Sequence, residues 1–131
     1  MRRDGRLFTL TFPPEPDESV LAAYVEWCDA FYARDHETLA WVIDGTEVRL
    51  AHARLRKYLI DNLNAHREHM KQHCTGVAVV VTNAFIRGAA QAILWMAPPE
   101  YPHKFFGRLA DAEAWARASL EQKPPANESA G

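Results

Sequence analysis

His66, His69 and His73 recur at spacings of three and four residues in a helically patterned stretch, so their imidazoles share roughly one helix face. Neutral ring nitrogens in that arrangement can ligate a divalent metal ion. The same spacing admits a plainer reading: His66 and His73 fall inside an apolar stripe with Leu59 and Met70, where half-buried, hydrogen-bonded histidines are ordinary. The run is not an HExxH arrangement, and Cys74 points about a quarter turn away from His73. These three histidines are the chain's metal candidates, but no cofactor is expected from them.

Nucleophiles are no better placed. Ser19, Ser119 and Ser129 sit at a helix start, a helix end and the tail, without the glycines of a nucleophile elbow. Cys28 lies on an apolar helix stripe, and Cys74 ends a helix, where the negative end of the dipole raises a thiol pKa. Gly76 and Gly88 belong to no phosphate-cradling motif. A non-enzymatic role is the expectation.

The chain has 131 residues, 48% of them hydrophobic, enough for one core without disulfides or metal. Fifteen Lys and Arg against seventeen Asp and Glu give a net charge of -2, with no basic excess to draw nucleic acid or an anionic membrane. Two cysteines in helical patterns fit a reduced, cytoplasmic home. The polar start Met1-Arg2-Arg3-Asp4-Gly5 is unlike a signal core, and no run approaches the ~20 apolar residues of a membrane span.

The positioning elements follow from periodicity. Leu7 to Phe12 alternates as a strand with one buried face, and Pro13-Pro14 stops it. A helix follows, with Asp17 and Glu18 in its first turn and Leu21, Tyr24, Cys28, Phe31 and Tyr32 along its apolar side. Thr38 to Ile43 is nearly continuously apolar, the signature of a parallel strand covered on both faces. One long helix is predicted from Val48 to His73, then a strand from Gly76 to Thr82 rich in β-branched residues. Asn83 can cap a third helix running to Met96, which Pro98-Pro99 terminates. A short strand, Lys104 to Phe106, and a last helix from about Ala110 complete a β-α-β-α-β-α-β-α order. Residues 1–121 are expected to form a single α/β domain around a four-strand, mainly parallel mixed sheet; residues 122–131 lack apolar anchors and are expected to be disordered.

The stretch from Arg49 to His73-Cys74-Thr75-Gly76-Val77-Ala78-Val79-Val80, with Ile86-Arg87-Gly88, Pro98-Pro99-Glu100-Tyr101-Pro102 and Ala112-Glu113-Ala114-Trp115, resembles bacterial stand-alone STAS-like proteins. The resemblance implies a small mixed sheet with helices largely on one side, relation to anti-sigma-factor antagonists and, more distantly, to Sec14-type lipid-transfer domains. Phosphorylatable members of that family carry a serine or threonine in a turn that here reads Asp44-Gly45-Thr46-Glu47-Val48-Arg49. The segment has no serine, so the switch is not expected, with Thr46 the residue that could accept a phosphate.

Three surfaces are candidates for function. Parallel strands would bring Asp44, Thr46, Arg49, Asn83 and Arg87 to the carboxyl edge of the sheet, where open α/β sheets bind ligands or partners; capping roles for Asp44 and Asn83 are the competing expectation. Helix three has a second face carrying Ala84, Gly88, Gln91 and Trp95, which can dock a protein partner or another copy, unless Trp95 folds under its own 97–102 loop. A pocket for a small apolar ligand or lipid, lined by Trp41, Leu59, Leu63, His66 and Trp115, is the alternative to a protein-interaction module. A metal-dependent enzyme built on the helix histidines ranks third.

Overall fold

The computed structural model describes residues 1–122. The strands are β1 (Arg2–Asp4), β2 (Leu7–Thr11), β3 (Leu39–Asp44), β4 (Cys74–Val80) and β5 (His103–Phe106). The helices are α1 (Glu18–Arg34), α2 (Ala53–Ala65), α3 (Arg67–His73), α4 (Ala84–Met96) and α5 (Leu109–Gln122). The expected disordered tail lies outside the described residues from residue 123 onward, and Gln122 closes α5.

The sheet has five strands in the order β1-β2-β3-β4-β5, one more than the sequence indicates. The added strand is Arg2–Asp4, antiparallel to β2 with Arg2 opposite Thr9 and Asp4 opposite Leu7. Its three residues are all exposed, so no alternation marks it. Gly5 makes the reversal at φ +62, a left-handed conformation that a residue without Cβ adopts readily. Arg2 and Asp4 then pair with Glu113 and Arg117 of α5 at 2.8 and 2.6 Å.

The other strands are parallel, each added beside its predecessor in the same direction. Right-handed crossovers stepping one way across a sheet leave their helices on one face. Accordingly α1, α2 and α4 pack on the side of Phe8, Leu10, Trp41, Val77 and Val79, while α5 alone covers Leu7, Ala40, Val42, Ala78 and Val80. The pleat sorts the two sets, because Phe8, Trp41, Val77 and His103 lie in one cross-strand row and their sequence neighbours face the other way.

The expected helix from Val48 to His73 is divided. Residues 48–52 form a loop held by Val48 N–H to Gly45 O and Arg49 N–H to Pro14 O, and α2 starts only at Ala53. His66, at φ -109 and ψ 18, separates α2 from α3. Its N–H still reaches Asn62 O at 3.2 Å and its carbonyl accepts from Met70 N at 3.0 Å, so the apolar stripe continues across the break. Asp17 is the N-cap of α1 rather than a first-turn residue; its carboxylate, held below its ordinary pKa by the Ser19 hydroxyl and the Val20 N–H, accepts from Val20 N at 3.0 Å.

Candidate functional site

A cavity of about 120 Å³ lies between the helix-covered face of the sheet and α1, α2 and α4. Its floor is Leu10, Trp41, Ile43, Val77 and Val79, the side chains that the pleat turns toward the helices. Tyr24 and Tyr32 of α1, Leu59 and Leu63 of α2, and Ile93 and Leu94 of α4 form the walls. Ala90 leaves room where a larger residue would fill the space. Of the pocket expected from the sequence, Trp41, Leu59, Leu63 and His66 are present. Trp115 is not: it stands on the opposite face with α5, its ring against Gly76 of β4. Helical periodicity gives α5 an apolar side but not which face of the sheet it covers.

The polar groups in this apolar setting are few and mostly neutral. Burial raises the Tyr24, Tyr32 and Tyr101 pKa values above the ordinary phenol value, so all three remain phenols at neutral pH. The Tyr32 hydroxyl donates to Met70 Sδ at 3.4 Å. The Trp41 indole N–H tempers the rise in Tyr32, yet it is buried without a hydrogen-bond partner. Asn62, 7% exposed, donates weakly through Nδ2 to Cys28 Sγ at 3.8 Å, while its buried Oδ1 has no partner. Turning the amide over exchanges its two ends and still leaves one of them short of a good bond. The signal for Asn62 was in the sequence, as it follows Leu55 and Leu59 at helical spacing and puts an amide in a core position.

The histidines divide between two settings. His66 borders the cavity and its Nε2 lies 2.7 Å from Asp29 Oδ1. It therefore leaves the proposed set of three, and His36, from the loop between α1 and β3, takes its place beside His69 and His73. Nothing in the local sequence ties residue 36 to residues 69 and 73; only the packing of α1 against α3 does.

At the carboxyl edge the sequence-named residues are engaged in local structure. Asp44 Oδ1 accepts from Thr46 N at 3.0 Å and Thr46 Oγ1 at 2.7 Å, capping a turn rather than a helix. Asn83 Oδ1 accepts from Phe85 N at 2.8 Å and Ile86 N at 3.3 Å and caps α4. The Arg87 guanidinium lies 5.7 Å from the centre of the Phe105 ring, and Arg49 is exposed with its backbone N–H on Pro14 O. On α4, Gly88 and Gln91 are exposed and Trp95 is 86% exposed, so the 97–102 loop does not cover the indole. Phe85 and Met96, 89% and 66% exposed, extend the same surface.

No family model matches the chain, and no curated protein matches it. Among solved structures it is similar to an uncharacterised protein of the DUF3478 family with a SpoIIAA-like fold from Shewanella loihica PV-4. The TM-score is 0.55 with 17% sequence identity, over 84% of this chain and 79% of that one. The fold is SpoIIAA-like, that is, STAS-like. Thr46 lies in the turn that follows β3. Here the Thr46 hydroxyl donates to Asp44, and α2 begins seven residues later, so no helix N-terminus adjoins it. Among the described residues, no helix is long and apolar enough to cross a membrane.

Proposed function

We propose that this STAS-like domain binds a small, largely apolar ligand carrying one polar group, and acts as a binding and regulatory module rather than an enzyme. The observation that carries the reading is the unpaired Asn62 amide oxygen at the edge of an apolar cavity. A buried polar atom without a partner costs about 1–3 kcal/mol, which a ligand donor at that point would recover. The tyrosines held neutral by burial, and Cys28 with its thiol pushed up to about 11, suit binding better than proton transfer or nucleophilic attack. Near 120 Å³ the cavity is below the ~150 Å³ that holds a benzene-sized molecule, so a larger ligand requires α2 and α4 to part.

The test is native mass spectrometry of the protein as purified, beside the variant Ala90→Phe, which fills the space next to Ile93. A retained small-molecule mass on the parent, released on denaturation and lost from the variant, is the expected result. A bare parent that takes up no apolar probe, or equal uptake by a folded variant, would overturn the reading.

The outer face of α4 favours a second role, docking of a protein partner or another copy of the chain. Phe85, Trp95 and Met96 form a far more exposed set of large apolar groups than the other surfaces present. Trp95→Ala would then shift the sedimentation coefficient of an assembly without changing the melting temperature; a monomeric parent in the same experiment excludes self-association.

A further inference from the structure

We propose that His36, His69 and His73 form a binding site for a divalent transition-metal ion of the zinc class, with solvent completing the coordination sphere. The three rings form a triangle with two nearly equal sides and a shorter one, with centroids 5.8 Å apart for His36 and His69, 5.7 Å for His36 and His73, and 4.6 Å for His69 and His73. One nitrogen of each lies within 4.8 Å of the others. Zinc–nitrogen bonds of ~2.0–2.1 Å in tetrahedral geometry place ligand nitrogens ~3.3 Å apart, so the set must close by only about 1.5 Å. His69 and His73, one turn apart on α3, are fixed by the helix. His36 is exposed, and the backbone on either side of it is pinned by Asp35 N–H to Phe31 O at 2.9 Å and Glu37 N–H to Asp35 Oδ1 at 2.9 Å.

An independent observation points to an occupant. His69 Nε2 is buried and has no hydrogen-bond partner, a costly state for an imidazole nitrogen unless something else engages it. Asp35, next to His36 in the chain, adds a carboxylate close to the site. Three imidazoles with no carboxylate among the ligands select zinc, copper or nickel over magnesium or calcium. Tyr32 stands between this site and the apolar cavity, its ring 4.5 Å from His69, so filling one does not require the other.

The experiment uses the full chain without a histidine tag, stripped with chelator and titrated with Co(II) and then Zn(II). The expected result is one equivalent of Co(II) with ligand-field absorption of nitrogen coordination, displaced by Zn(II). His36→Ala and His73→Gln each weaken binding at least tenfold, whereas His66→Gln, outside the triangle, leaves it unchanged. Because His36 is exposed, its variant keeps the far-ultraviolet circular dichroism of the parent. Absence of stoichiometric binding, or parental affinity in a folded His36→Ala, would overturn the proposal.

Discussion

Asn62→Leu separates a residue kept for stability from one kept for binding. Asn62 is buried on the inner side of α2, with one weak bond to Cys28 Sγ and an unpaired Oδ1. Removing the unpaired oxygen relieves about 1–3 kcal/mol, while losing so long a bond to sulfur gives back less than ~1 kcal/mol. Leucine also favours the helix interior by about 0.5 kcal/mol. Its extra methyl groups have somewhere to go, because the residue borders the 120 Å³ cavity rather than a filled core. The net expectation is a gain of about 2 kcal/mol, or a rise of roughly 8 °C in Tm for a domain of this size. Urea unfolding followed by circular dichroism measures it, with an unchanged m-value as the condition for comparison. The same variant should lose retained ligand mass, since the polar anchor is gone. A folded Asn62→Leu that is less stable than the parent by 1 kcal/mol or more would refute the claim that the amide oxygen is unsatisfied.

Gly76→Ala would bring a Cβ to 2.9 Å from Trp115 Cη2, so it should destabilise by about 1–3 kcal/mol in denaturant unfolding, and less than additively when combined with Trp115→Ala. Asn83→Ala removes two N-cap bonds and should cost about 1 kcal/mol of stability with ligand retention intact; loss of ligand at unchanged stability would instead make Asn83 part of a site. Cys28, fully buried with its thiol raised to about 11, should react with a thiol reagent at pH 8 only at the rate of opening of the fold, measured by mass spectrometry against urea concentration.

The parts of the fold legible from sequence are those whose local pattern and tertiary role coincide. Leu39 to Ile43 reads as a strand covered on both faces because almost every position is apolar, and the structure buries both its sides, under α1 and α2 on one and α5 on the other. Arg2–Asp4 has no such pattern. It is a strand because Gly5 turns the chain back and because Arg2 and Asp4 find partners more than a hundred residues away on α5. The break at His66 is equally silent, as one distorted residue leaves the 3.6-residue stripe in register on either side.

The candidate sites divide along the same line. Trp41, Leu59 and Leu63 could be placed together because a strand face and a helix stripe that are both apolar must meet, and the one-way stepping of the parallel strands puts them on the same side of the sheet. Trp115 lies on the other face because that stepping ends at β5, and the helix after it is free to return over either face. His36 lies still further from what periodicity can convey, in a four-residue connection whose only regular feature is a turn at Asp35. What brings it to His69 and His73 is the length of α1: the helix ends at Arg34, level with α3, and a helix shorter by one turn would carry residue 36 about 5 Å away. The histidine triangle thus depends on the packing of α1 and α3, and the apolar cavity on the pleat of the sheet. Loss of metal in His36→Ala with the ligand retained, and loss of ligand in Ala90→Phe with the metal retained, is therefore the pattern that two separately built sites require.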